Sequence, residues 1–233
     1  LGFLGGVTEA IDAHHAVTAS LGDRFLYCRM GHIDNGRVAD SVLNREAGSI
    51  ERSGLRDHVT EFISGVGVET SGGLQLDEKE WLKCAANMAA LARSAIERDN
   101  HLREIVIVYT PESSGRLVAS LGQLYKALIN IGCCQRESRR LIAKVATDCI
   151  PNDRSRILEM LGNHSEGLLA ADMRKDVDVD HPERAVYRTL EDMECLRIVY
   201  RTKVESVGKG RPAEKWQISQ QFEYQWSQLK CYK

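Results

Sequence analysis

Basic side chains gather toward the C-terminal end of the chain, in numbers that suit contact with a polyanion. Between Leu196 and Lys215 stand Arg197, Arg201, Lys203, Lys209, Arg211 and Lys215, against Glu205 and Glu214. Six cations oppose two anions, a surplus of four. Just upstream, Arg184, Tyr187 and Arg188 would face outward at the start of a predicted helix. Its far end is acidic, with Glu191, Asp192 and Glu194, and Asp172, Asp176, Asp178 and Asp180 crowd nearby. The pattern permits a groove contact from the helix start and phosphate contacts from the turn that holds Lys209 and Arg211. The other reading is a set of solvated surface charges on a module that binds protein.

Other chemistry has less to stand on. The chain contains no GxxxxGK[ST] loop, GxSxG elbow, HExxH or paired CxxC, so no catalytic engine is recognisable within it. His14, His15, His32 and Cys28 fit no zinc spacing. Asp176, Asp178 and Asp180 alternate like a calcium loop, but the sixth position is His181 where glycine is needed and the closing glutamate is missing. The cysteines are Cys28, Cys84, Cys133, Cys134, Cys149, Cys195 and Cys231, an odd number with no disulfide framework, and the natural compartment for them is a reducing cytoplasm. A disulfide between Cys133 and Cys134 would be strained.

A length of 233 residues accommodates one large domain or two small ones. Hydrophobic residues at 43% and charged residues at 27% are ordinary for a soluble globular chain and argue against disorder. The net charge of −2 supplies no global field for nucleic acid, so any such binding must come from a local patch. No apolar run is long enough to span a membrane. Aromatics at 6% suit a mainly helical core of Leu, Ala, Val and Ile. The chain begins at Leu1 without the charged start of a signal peptide and reads as part of a longer product.

The elements that must position these residues follow from periodicity. A helix is predicted from Thr8 to about Leu21, then a strand over Arg24–Met30. A helix near Val38–Ile63 should break near Gly48 or Gly54. Asp77 and Glu80 have capping-box spacing ahead of a helix with Trp81, Cys84, Ala85, Met88, Leu91, Ala92, Ala95 and Ile96 on one face. A short strand spans Glu104–Tyr109, and Thr110-Pro111-Glu112 should restart a helix striped by Leu117, Leu121, Leu124, Leu128 and Ile131. Another helix covers Ser138–Cys149 and stops at Pro151. Beyond it come a helix with Ile157, Leu158 and Leu161, a second over Leu168–Lys175, and a third carrying Ala185, Val186, Thr189, Leu190 and Met193 inward. Strands over Leu196–Lys203 and Lys215–Ile218 flank the Gly208-Lys209-Gly210-Arg211-Pro212 turn, and the tail 220–233 would dock as a helix or stay mobile.

Three helices followed by a hairpin resemble a winged helix-turn-helix. The stretch Val186–Met193, the Gly208–Pro212 turn and Trp216 carry that resemblance. It implies a third helix in the major groove of double-stranded DNA and a wing on the backbone or minor groove. The candidate DNA contacts are then Arg184, Tyr187, Arg188, Lys209 and Arg211.

Upstream, Gly5-Gly6-Val7-Thr8 and Ala19-Ser20-Leu21-Gly22-Asp23-Arg24-Phe25 are similar to the end of an AAA+ ATPase core of the minichromosome-maintenance or magnesium-chelatase type. A Pro-Glu-x-x-x-Arg-Leu stretch, Pro111–Leu117, looks like the sensor region of the helical lid in such proteins, including bacterial P-loop proteins linked to mobile elements. This resemblance implies residues 1–36 as the end of a core, 37–150 as a lid, 151–219 as a winged helix and 220–233 as a tail. It implies Arg24 as a trans-acting finger and Arg116 as a sensor, both serving ATP and Mg bound in a full-length homo-oligomer. No Walker motif is present, so the nucleotide-gripping half would lie upstream of Leu1. On the residues alone, Arg24 also reads as a strand-edge arginine and Arg116 as the i+4 partner of Glu112. The alternative function is a non-enzymatic winged-helix regulator with a helical dimerisation or effector domain.

Overall fold

Helices form wherever apolar residues recur at three and four, and the strands between them are short. The computed structural model describes residues 4–8, 10–13, 25–31, 34–43, 48–66, 73–99, 101–176, 183–204 and 213–232. Helices α1 (Ala10–Ala13), α2 (Asn35–Leu43), α3 (Gly48–Gly65) and α4 (Leu76–Ala92) come first. A hairpin of β1 (Ile96–Arg98) and β2 (Ile105–Val108) follows, then α5 (Gly115–Asn130), α6 (Gln135–Asp148) and α7 (Asn152–Leu161). The last part holds β3 (Leu168–Leu169), α8 (Ala170–Asp176), α9 (Glu183–Cys195), β4 (Val199–Val204), β5 (Ala213–Ile218) and α10 (Gln220–Lys230). Here β3 and β4 both pair antiparallel with β5, which lies between them. The protein is mainly helical, with small antiparallel sheets.

One apolar cluster runs through the molecule from Trp81 to Leu229. In α4 the small residues Ala85, Ala86, Ala89 and Ala92 are fully buried, which lets α5, α6 and α10 approach closely. Leu117, Leu121, Ile142, Ile157, Leu158 and Leu190 add the larger side chains. The C-terminal segment closes the cluster: Phe222, Trp226 and Leu229 of α10 are buried against α4. The Trp81 indole N–H donates to Gln228 O at 3.1 Å. Of the two outcomes expected for the tail, the structure shows the docked helix.

Several local expectations are corrected. Residues 25–31 join no sheet among the described residues; Arg29 holds them beside the end of α6. There the Arg29 N–H bonds Asp148 Oδ2 at 2.7 Å, and its guanidinium reaches the carbonyls of Asp148 (3.1 Å) and Ile150 (3.2 Å). Orphan groups at a helix end replace the strand partner. Of the expected Thr8–Leu21 helix, Thr8 and Ala10–Ala13 lie in the described residues, and Ala10–Ala13 are helical. Gly54 sits inside α3, so no break falls there; residues 44–47, just ahead of Gly48, lie outside the described residues.

Helix α4 starts two residues earlier than its Asp77–Glu80 spacing suggests, because the capping box forms at Gln75, where Glu78 Oε2 accepts the Gln75 N–H at 2.8 Å. Thr110 and Pro111 do not open α5, which begins at Gly115; Glu112 turns back to pair with Arg93. Ala95 and Ile96 fall beyond α4, with Ile96 in β1, a strand the sequence did not announce. Leu168 and Leu169 form β3 rather than the first turn of a helix.

Candidate nucleic-acid interface

The inward face of α9 is set by Val186, Leu190 and Met193, all buried. Helical spacing then turns Arg184, Tyr187, Arg188, Glu191 and Glu194 to the outer side. That side is the floor of a groove of about 610 Å3. One wall is the β1–β2 hairpin, through Leu102 and Arg103, and the other includes Arg201 of β4.

Arg98 ties the hairpin wall to the floor. Its Nη1 donates to Arg103 O at 2.7 Å, and its Nη2 to Arg188 O at 3.0 Å and Glu191 Oε2 at 3.1 Å. Asp192 Oδ1 accepts from Arg98 Nε at 2.9 Å and lies 2.7 Å from Nη2. On the inner side, Arg154 is buried and donates to Ala92 O (2.9 Å) and Ser94 O (2.7 Å), the carbonyls that α4 leaves open at its C-terminus. Arg154 Nη2 also lies 3.8 Å from Asp192 Oδ2. Burial pushes the Asp192 carboxyl above its ordinary range, and Arg98 and Arg154 pull it back only in part.

The acidic end of α9 is therefore neutralised from within. Glu191 and Asp192 belong to Arg98, and Glu194 pairs with Arg201 at 3.2 Å. Arg201 also lies 3.5 Å from Glu214 and stacks over Trp216 at 5.8 Å. Arg103, Arg184 and Arg188 are exposed, and their guanidiniums make no ion pair among the described residues. Three arginines without counter-ions among the described residues thus line one groove. The Cys195 thiol also lines it, but burial and the carboxylates of Asp192 and Glu194 push it upward, away from nucleophilic use.

The structure sorts the predicted site residues. Arg184 and Arg188 come together on the groove floor. Tyr187 does not face freely outward: it is half-buried, its hydroxyl donates to Glu214 Oε2 at 3.2 Å, and its ring meets Trp216 edge-on at 6.0 Å. Arg116 stands exposed in the first turn of α5 and does not line the groove. The Glu112 partnership open to Arg116 is taken by Arg93. Arg24, Lys209 and Arg211 lie outside the described residues. The sequence reading missed Arg98, Arg103 and Arg154. A polar run between the β-favouring stretches at Ile96 and Ile105 was the available sign of a hairpin. Nothing local marked Arg154, whose partners are about sixty residues away.

Among the described residues no group of three or more side chains could hold a metal ion, and no helix is long and apolar enough to cross a membrane. The chain matches no protein-family model, and no curated protein or solved structure gives a match.

Proposed function

We propose that residues 151–219 form a winged helix that binds double-stranded DNA, within the C-terminal portion of an AAA+-like DNA-dependent ATPase. The carrying observation is the pair Arg184 and Arg188 on the outer face of α9, without counter-ions among the described residues, over a helix whose acidic end pairs with Arg98 and Arg201. The order α7, β3, α8, α9, β4, β5, with β5 central in its sheet, supports the winged-helix reading. In that geometry the first turns of α9 approach base edges, and arginine donates in bidentate fashion to guanine O6 and N7. Lys209 and Arg211, which the sequence places between β4 and β5 and which lie outside the described residues, would contact phosphates. Tyr187 supports the wing through Glu214 and Trp216 rather than reading a base.

The ATPase parentage rests on the resemblance around Arg24 and Arg116. The exposed guanidinium of Arg116 supports it, because a cation in the first turn of a helix opposes the dipole and favours the arrival of an anion. A finger that acts on a neighbour's nucleotide requires a homo-oligomer. The residues present do not themselves fit ATP and Mg: no phosphate loop occurs, and Arg116 lies outside the α9 groove. No step of hydrolysis is assigned to this chain.

The test is fluorescence anisotropy with a labelled duplex across a salt series. Binding should weaken steeply with salt, and Arg188→Ala combined with Arg211→Ala should abolish it. Unchanged binding by that double variant would remove the proposed DNA face. For the ATPase part, full-length protein should hydrolyse ATP faster with duplex present, and Arg116→Ala should lower that rate.

A further inference from the structure

The β1–β2 hairpin lies outside the 151–219 unit, yet it walls the groove above α9. We infer that it is a second phosphate clamp, in which Arg103 at its tip contacts the backbone of the same DNA that α9 enters. This rests on the DNA reading given above and adds a contact to it.

The tip is built to hold one conformation. Asp99 Oδ1 accepts the N–H groups of His101 (2.8 Å) and Leu102 (2.6 Å). Asp99 also donates its N–H to Glu104 O at 2.8 Å, and Arg103 donates its N–H to Asp99 O at 3.1 Å. Arg103 itself has φ of 61°, in the left-handed region that a residue with a Cβ normally avoids. The surrounding hydrogen bonds impose that geometry, and strained backbone of this kind clusters where position matters.

Arg98 makes the placement relative to α9 fixed as well. One guanidinium bonds both Arg103 O at the tip and Arg188 O on the helix. Arg103 is thereby indexed to Arg188 through a single planar group. Arg98 is spent on internal carboxylates and carbonyls, whereas the Arg103 guanidinium is exposed and has no counter-ion among the described residues. Beside it Leu102 is 75% exposed, so the tip projects rather than folding back. A cation held beside the arginines of α9 fits a phosphate flanking the reading site, since backbone contacts set register and carry no sequence information.

The experiment measures duplex affinity over a salt series for the full chain and for Arg103→Asn and Arg103→Lys. Asparagine tolerates the left-handed region, so the turn survives while the charge is removed. Loss of one phosphate contact should reduce the slope of log affinity against log salt by about 1, on specific and random duplexes alike. Affinity at low salt should fall about 3- to 10-fold with Arg103→Asn, and Arg103→Lys should restore most of it. If Arg103→Asn keeps the affinity and slope of the parent while Arg184→Ala and Arg188→Ala weaken binding, the clamp is wrong and the DNA reading stands. If the parent chain binds no duplex at any salt, both fall.

Discussion

Arg98 of β1 and Asp192 of α9 meet at 2.7 Å although 94 residues separate them in the chain. Both are mostly buried, with side-chain exposures of 15% and 19%. The raised carboxyl shows that ionising Asp192 there is costly. Removing Arg98 is costlier, because the buried carboxylate then keeps only Arg154, at 3.8 Å, and loses its close hydrogen-bonded partner. Arg98→Ala should therefore destabilise the fold by about 2 kcal/mol, read as a lower urea midpoint. It should also loosen the hairpin, seen as faster amide exchange at residues 101–106.

Tyr187 separates a supporting role from a reading role. Its hydroxyl is taken by Glu214, and its ring braces Trp216. Tyr187→Phe should cost about 1 kcal/mol of stability and leave duplex affinity within about twofold. A large loss of affinity with unchanged stability would return Tyr187 to the DNA contacts.

Glu78 gives the stability a definite pH dependence. Burial pushes its carboxyl up, but hydrogen bonds from Tyr125, the Gln75 N–H and Gln135 outweigh this, and the net shift is downward from 4.5. A group depressed on folding contributes stability above its unfolded value, and that stability is lost as pH falls through the folded value. Comparing thermal midpoints, Glu78→Gln should be less stable than the parent at pH 7. The gap should narrow as pH falls below the unfolded glutamate value of about 4.3 and close below the depressed folded value.

Gly167 cannot be replaced cheaply. Its φ is 78°, and a Cβ there would lie 2.5 Å from Gln217 Cγ and 2.9 Å from Trp216 O. Gly167→Ala combines backbone strain with a clash against β5 and should cost about 2 kcal/mol. Calorimetry should show a lower Tm, accompanied by disturbance of the buried Trp216 fluorescence.

The C-terminal helix is structural. Arg139 sits 5.7 Å from the ring centres of both Trp81 and Tyr232, donates to Tyr232 Oη at 2.8 Å and pairs with Asp77 at 2.7 Å. Trp226 is buried and so close to Gly162 that a Cβ there would come within 2.5 Å of its indole nitrogen. Trp226→Ala should cost about 3–5 kcal/mol. Deleting residues 220–233 should remove cooperative unfolding in urea.

Much of the architecture is written in local spacing. The apolar periodicity of α4, α5, α6, α7 and α9, and the two strands flanking a Gly-rich turn, depend on neighbours within one or two turns, so the sequence alone determined them. Arg184 and Arg188 could likewise be placed on the outer face of a helix from their distance to Val186 and Leu190. Helix starts were misjudged where long-range partners competed: Glu112 went to Arg93, and Glu78 rather than Glu80 took the cap. The acidic end of α9 read as an obstacle to a polyanion, and only the folded chain brought Arg98 and Arg154 to it. The tertiary structure alone decided that the β1–β2 hairpin stands over α9 and that the C-terminal helix closes the core on α4. Charge pairing and burial across about a hundred residues leave no mark in local periodicity, because they arise only when distant segments share one interior.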